Sequence, residues 1–197
     1  MKEDILITAQ ESGYFFKEVS MKYVDYLVKS MEFLAEDSRV IFLGQSVSYS
    51  GNSIYNTLKT IPADRKIETP VFEEVQMGLS TGLALEGFIP VTCYPRFDFL
   101  LLAVNQLVNH LDKMSEMTRG VFNPNVIIRT SIGAKSPLDG GVQHTQDHTD
   151  AFKKLLSHID VIRLEEKDQI FSAYQKALMR QDGRPTLLIE YGEYYNQ

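Results

Sequence analysis

The chain has 197 residues, of which 44% are hydrophobic and 23% are charged, as in soluble globular proteins. The formal net charge of −6 offers no basic surface for nucleic acid, and the single cysteine, Cys93, excludes an intramolecular disulfide and fits a reducing compartment. No apolar stretch is long enough to span a membrane, and no apolar signal segment follows Met1. We therefore expect one soluble, cytoplasmic domain over residues 1–197.

The first part of the chain predicts a helix, a strand and a polar loop. The N-terminal segment of about 1–37 is expected to be helical, because apolar residues recur at helical spacing over 18–36. The apolar run 40–43 has the length of a buried strand. Residues 45–56 are polar and would lie at the carboxyl end of that strand, where open α/β sheets bind their ligands. A weaker helix is expected over 53–60.

A helix rich in small residues follows a predicted strand at 67–69. Gly78 and Gly82 fall inside this helix, and interior glycines each cost a helix roughly 1 kcal/mol relative to alanine. We therefore expect another backbone or another subunit to pack closely against it.

The next predicted elements are a strand at 89–94 and a long helix at 97–117. The apolar positions of this helix have the spacing of one buried stripe: Phe97, Leu101, Val104, Leu107, Val108, Leu111 and Met114.

The last third of the chain predicts strands at 126–130, 161–164 and 186–190, with a helix over 167–180. Residues 131 to about 147 form a long loop that contains His144, with His148 directly after it, and loops of this length are usually functional or disordered. Strands that alternate with helices predict an α/β domain with a mostly parallel twisted sheet and helices on both faces.

Several short motifs, taken in order, resemble one enzyme family. They are Glu68-Thr-Pro70, Glu73, Gly78-x-x-x-Gly82-x-Ala84, Gly87 ahead of Pro90, Phe97-Asp-Phe99, Ala103, Gln106 and Gly141-Val-Gln-His144. From about Arg39 to the C-terminus the chain is similar to the pyrimidine-binding domain of thiamine-diphosphate enzymes. It most resembles the beta subunit of 2-oxo acid dehydrogenases of the pyruvate dehydrogenase type and the central domain of transketolase.

The resemblance implies that Glu73 is catalytic and binds the cofactor. By their position alone, Glu73 and Glu74 could both be first-turn charges that the helix dipole tolerates. In the family, the glutamate at the place of Glu73 hydrogen-bonds the aminopyrimidine ring and favours the tautomer that removes the thiazolium proton. Glu74 departs from the apolar or small residue of the family, and we expect it to be a surface or interface charge.

The same resemblance implies roles for Phe99 and His144. Phe99 would stack on the pyrimidine ring, although a core phenylalanine is the alternative, and we expect Phe97 to be core. His144 would be an active-site histidine that hydrogen-bonds the substrate carboxylate or moves a proton. The alternative is a loop histidine with no functional role. His148 has no matching role. The two histidines have helical metal-ligand spacing but no third ligand, so we expect no metal site.

Two departures from the family affect what is carried over. Gln45 and Ser46 replace an acidic pair linked to proton communication between paired active sites, so that feature is not carried over, although we still expect Gln45 to contact the cofactor. The Gly-Asp-Gly signature for diphosphate and magnesium is absent, and the dehydrogenase beta subunits continue into a second domain beyond the last strand found here.

We therefore expect a pyrimidine-binding subunit of a split thiamine-diphosphate enzyme that acts on a 2-oxo acid or ketose, by decarboxylation, carboligation or oxidative decarboxylation. A separate alpha-type subunit would hold the diphosphate and Mg²⁺ in an α2β2 heterotetramer, with self-association through the two middle helices. The alternatives are a catalytically silent or regulatory relative that uses the fold as a scaffold, and an α/β binding protein unrelated to thiamine.

Overall fold

The computed structural model describes residues 21–136 and 139–196 of the chain. Within these residues six strands form one sheet: β1 Val40–Gly44, β2 Lys66–Glu68, β3 Ile89–Tyr94, β4 Ile127–Ile132, β5 Asp160–Arg163 and β6 Thr186–Tyr191. The strand order is β2-β1-β3-β4-β6-β5, and every pairing is parallel. The predicted α/β class with a parallel sheet is confirmed.

The α-helices in the described ranges are α1 Tyr23–Glu36, α2 Ser53–Thr57, α3 Glu73–Leu85, α4 Phe97–Leu100, α5 Met114–Met117, α6 Thr149–Leu155 and α7 Lys167–Leu178. Helix α1 confirms the predicted N-terminal helix from Tyr23 onward, whereas residues 1–20 lie outside the described part of the chain. None of the helices described combines the length and apolar character needed to cross a membrane.

The register of the strands aligns the last residues of β1 and β2 with the next-to-last residue of β3 at one edge of the sheet. Gly44 of β1 lies opposite Glu68 of β2 and Cys93 of β3. Because all pairs are parallel, every strand directs its carboxyl end, and the loop that follows it, to this same edge.

Helices cover both faces of the sheet, as predicted. On one face, α1, α2 and α7 pack on the sheet in one buried cluster, with Leu27, Ile54 and Tyr174 as representatives of the three helices. On the other face, a second cluster joins α3, the helical segment 97–117 and α6.

The segment 97–117 is not the uniform α-helix that was predicted. After α4 it continues as a 3₁₀ turn at Leu101–Ala103 and a π-helical stretch at Gln106–Leu111. The apolar residues that it buries most deeply are Phe97, Leu100, Ala103, Leu107 and Leu111.

The predicted stripe for this segment is therefore wrong at Leu101, which is 43% exposed. The first buried positions are three residues apart, which matches the three residues per turn of a 3₁₀ helix better than the 3.6 of an α-helix. Val104, Val108 and Met114 are only partly buried.

Helix α6 lies in a stretch for which the sequence predicted no element. The Asp147 carboxylate accepts a hydrogen bond from the Thr149 N–H at 2.9 Å, which satisfies a donor at the start of the helix. Phe152 then buries its ring 5.0 Å from that of Phe97. A helix of this length has too few apolar positions to show a clear period.

Asp112 fixes the turn that follows α6. Its buried carboxylate accepts hydrogen bonds from the backbone N–H groups of Ser157 at 3.0 Å, His158 at 2.7 Å and Ile159 at 3.1 Å. Burial by itself raises the pKa of a carboxyl group, but these hydrogen bonds and nearby Lys113 hold the pKa of Asp112 below its ordinary value. The charged carboxylate therefore joins the end of the π-helical stretch to the start of β5.

A buried ion pair joins β4 to β6. The Arg129 guanidinium donates two hydrogen bonds to the Glu190 carboxylate, at 2.6 and 3.0 Å, and one to the Thr57 hydroxyl at 2.8 Å. Tyr174 and Tyr195 donate their hydroxyls to the same carboxylate. Burial and the charge of Glu190 raise the pKa of each of these phenols well above its usual value, so both hydroxyls keep their protons and remain hydrogen-bond donors.

Helix α3 leaves an apolar face uncovered. Phe72 is 58% exposed, Val75 57% and Leu79 41%. A Cβ at Gly82 would meet nothing within 4 Å, and one at Gly78 would only approach the Gln106 side chain at 3.7 Å. The close backbone contact predicted for these glycines is therefore not made within the described chain.

Candidate active site at the carboxyl edge of the sheet

Glu73 begins α3 at the carboxyl edge of the sheet, and its side chain is only 6% exposed. One carboxylate oxygen, Oε1, accepts a hydrogen bond from Gln45 Nε2 at 2.9 Å. Gln45 follows β1 and is itself buried. Two of the residues predicted for the site, which are 28 positions apart, are thus in direct contact. A buried carboxylate with an amide donor on one oxygen can accept a further hydrogen bond from a ligand.

The turn that carries Gln45 requires a glycine at position 44. Gly44 has φ +144°, and a Cβ there would lie 2.3 Å from the Cys93 carbonyl oxygen. Any side chain would clash with the backbone of β3, so the turn between β1 and Gln45 depends on this glycine.

Glu68, the last residue of β2, holds the loop after Gln45. Its carboxylate accepts hydrogen bonds from the Ser46 N–H at 2.6 Å and the Ser48 N–H at 2.8 Å. Ser46 has φ +63°, which is an uncommon conformation for a residue with a side chain. The sequence predicted no role for Glu68, although its place at the end of a strand was a usable signal.

Two further residues fix the start of α3 and were also not predicted. The Tyr94 hydroxyl donates to the Glu73 carbonyl oxygen at 3.2 Å. One turn into the helix, buried Gln76 donates to the Thr92 hydroxyl at 2.9 Å and to the Cys93 carbonyl oxygen at 3.0 Å. These contacts attach the helix that carries Glu73 to β3, so the carboxylate has a rigid support.

Phe99 and His144 form a second pair at the same edge. The Phe99 ring is half-buried, and the His144 ring meets it edge-on with centroids 5.5 Å apart. His144 Nδ1 is buried and has no hydrogen-bond partner in the described structure. Within residues 21–136 and 139–196, no hydrogen bond or ring contact joins this pair to Glu73 and Gln45.

The remaining predicted neighbours of the site have simpler surroundings. Phe97 is fully buried, which confirms it as a core residue, and Glu74 is exposed with its carboxylate 3.0 Å from the Asn105 amide nitrogen. His148 packs edge-on against Phe97 with centroids 5.4 Å apart. No group of three histidine, cysteine, aspartate or glutamate residues in the described ranges could hold a metal ion.

Comparison with known proteins gives the family of this fold and site. The family model "Transketolase, pyrimidine binding domain" matches residues 28–196. The 3-methyl-2-oxobutanoate dehydrogenase subunit beta of Mycobacterium tuberculosis is 33% identical over 128 residues, which make up 64% of this chain and 35% of that protein. The 2-oxoisovalerate dehydrogenase subunit beta of Bacillus subtilis is 25% identical over 181 residues, which make up 89% of this chain and 53% of that protein.

A solved structure described as "Split gene transketolase, inactive beta4 tetramer" has the same fold. It superposes with a TM-score of 0.62 at 20% sequence identity and covers 86% of this chain and 49% of that chain. The chain thus spans about half the length, or less, of the relatives that it matches. Since the family model covers most of the sequence, this chain belongs to the family of transketolase-type pyrimidine-binding domains.

Proposed function

We propose that this domain binds the aminopyrimidine half of thiamine diphosphate, with Glu73 as the residue that hydrogen-bonds the ring, in an enzyme that acts on a 2-oxo acid or ketose. The observation that carries the proposal is the buried Glu73 carboxylate at the start of α3, which accepts a hydrogen bond from Gln45 at 2.9 Å. Gln45 satisfies part of the carboxylate and leaves acceptor capacity for a ring nitrogen.

The other predicted residues fit the same ligand. The half-buried Phe99 ring offers an aromatic surface for stacking, and the unpartnered Nδ1 of His144 offers a polar atom beside it. The cofactor, when bound, would supply a nucleophilic thiazolium carbon and a cationic ring that can take up an electron pair. In this proposal Glu73 holds the proton at the pyrimidine ring, Phe99 orients the ring, and His144 hydrogen-bonds the substrate or moves a proton to it.

We further propose that a separate alpha-type chain holds the diphosphate and Mg²⁺. The sequence contains no Gly-Asp-Gly signature, and two relatives are named as beta subunits of 2-oxo acid dehydrogenases. The active site would then lie between two chains, where such pockets commonly form. The dehydrogenase names favour a 2-oxo acid as the substrate class, whereas the transketolase structure at 20% identity supports the fold only.

Thiamine diphosphate with Mg²⁺ is expected to bind poorly to this chain alone and to bind well once the alpha-type chain is added. The physical reason is that phosphate and metal contacts, which supply much of the affinity for such a ligand, come from the other chain. Isothermal titration calorimetry, with and without the co-expressed partner, measures this difference. Saturable, magnesium-dependent binding to this chain alone would contradict the two-chain arrangement.

Self-association through α3 is a second expected result. Phe72, Val75 and Leu79 expose a row of apolar surface, and a symmetric dimer is the commonest way to cover such a face. Replacement of Gly82 by leucine is expected to abolish association, because the new side chain fills the space that a partner helix needs. The monomer itself should gain up to about 1 kcal/mol, since glycine is a poor helix former and nothing within the described chain obstructs a side chain there.

Sedimentation velocity of the wild type and of Gly82→Leu, each with and without the alpha-type chain, measures the assembly. Met179→Leu is a matched control, because Met179 is exposed just after α7 on the opposite face of the sheet. Equal sedimentation coefficients of Gly82→Leu and wild type in the presence of the partner would show that α3 is not part of the interface.

A further inference from the structure

Three consecutive residues at the start of α4 contact three alternate positions of the loop 139–148. The Phe99 ring meets His144, the Asp98 carboxylate accepts from Gln146, and the Phe97 ring meets His148. The two segments are 48 residues apart at Asp98 and Gln146. This regular pairing fixes the register in which the loop lies along α4, and hence which of its side chains reaches Phe99.

Asp98 is the polar centre of this pairing. Its side chain is only 7% exposed, and Oδ1 accepts a hydrogen bond from Gln146 Nε2 at 2.7 Å. His148 Nε2 lies 3.5 Å from the same oxygen. Neither His148 Nε2 nor the second oxygen of Asp98, Oδ2, has a hydrogen-bond partner among the described residues, so the carboxylate depends on the hydrogen bond from Gln146. Because burial of a carboxylate is costly unless it is hydrogen-bonded, this contact favours the loop conformation that makes it.

Glycines close the loop from the other side. A Cβ at Gly133 would lie 1.8 Å from the His144 carbonyl oxygen, and one at Gly140 would lie 2.9 Å from the His144 Cβ. His144 is therefore enclosed between the glycine backbone and Phe99. A shift of the loop by one residue would therefore break the contact between Asp98 and Gln146 and would also move His144 away from Phe99.

We propose that Asp98 is a positioning residue, which holds His144 against Phe99 through its contacts with Gln146 and His148. The position of the His144 ring depends on contacts within this chain alone. Its consequence for catalysis rests on the proposed function, because only a bound substrate gives the position of His144 a chemical meaning.

The test uses the whole chain with Asp98→Ala, Asp98→Asn and Gln146→Ala. Two readouts are the amide hydrogen exchange of residues 142–148 and the NMR signal of the His144 ring, which the edge-on Phe99 ring displaces. Asp98→Ala is expected to speed exchange by roughly tenfold to a hundredfold, the range for removal of a hydrogen bond to a charged group, and to move the His144 signal toward that of a free histidine.

The conservative variants separate positioning from folding. Asp98→Asn keeps an acceptor for Gln146 and should restore part of the protection, whereas Gln146→Ala removes the exposed partner without any change in α4 and should loosen the loop as Asp98→Ala does. Arg163→Gln is the control, because it breaks the surface contact of Arg163 with Asp147 at 3.1 Å and should leave the His144 signal in place.

Wild-type exchange and an unmoved His144 signal in Gln146→Ala or in a folded Asp98 variant would overturn the proposal. In the reconstituted enzyme the Asp98 variants should lower kcat more than they raise the KM for thiamine diphosphate. If the loop loosens but even the wild-type complex binds no cofactor, the positioning role stands and the proposed function fails.

Discussion

Replacement of Glu73 by glutamine is expected to lower the activity of the assembled enzyme by roughly 10²–10⁴-fold, the usual worth of a positioned acid–base group. The amide keeps the size of the side chain and can still accept the hydrogen bond from Gln45, but it cannot hold or release a proton. A carboxylate in the first turn stabilises its helix by about 1 kcal/mol or less, so the thermal unfolding midpoint should change little.

The decisive measurement is the exchange of the thiazolium carbon proton for deuterium, followed by NMR on the reconstituted complex. Cofactor binding by calorimetry should accompany it, so that loss of affinity is separated from loss of proton transfer. Glu74→Gln is the matched control, because it removes the same charge one residue away from an exposed side chain whose partner is Asn105. Equal exchange rates in wild type and Glu73→Gln would exclude Glu73 from the chemistry and reduce the family relationship to one of fold.

Replacement of Arg129 by methionine is expected to lower the free energy of unfolding by roughly 3–5 kcal/mol, because it leaves Glu190 as an uncompensated buried charge. Both side chains are fully buried, and Arg129 donates two hydrogen bonds to Glu190 and one to Thr57. Since domains are stable by only about 5–15 kcal/mol, the loss is a large fraction of the total. Chemical denaturation followed by circular dichroism measures it.

Two further variants show whether the unpaired charge is the cause. Arg129→Met combined with Glu190→Leu should be more stable than Arg129→Met alone, because apolar replacement of a whole buried pair is often close to neutral. Arg39→Met removes an exposed ion pair with Asp37 at 2.6 Å and should cost no more than about 1 kcal/mol. A single Arg129→Met variant as stable as the wild type would show that Glu190 becomes neutral or finds another partner.

The order of the secondary structure could be predicted from the sequence because most strands are short apolar runs and the longer helices, such as α1, show a helical pattern. All six strands and the helices α1, α3 and α7 lie where these patterns placed them. Helix α6 was missed, because seven residues with one fully buried apolar side chain, Phe152, carry little periodic signal. The break in 97–117 was missed for another reason, since a 3₁₀ turn and a π-helical stretch change the period that the prediction assumed.

For the candidate site, the sequence by itself determined which residues to consider, and only the tertiary structure decided how they meet. Glu73, Phe99 and His144 stand out through motif order and Gln45 through its place after the first strand, and the parallel sheet brings them to one edge as two pairs. No sequence pattern indicated the contact of Asp98 with Gln146 or the ion pair of Arg129 with Glu190. Such contacts join residues 48 and 61 positions apart, and a buried charge is recognisable as stable only once its partner is known.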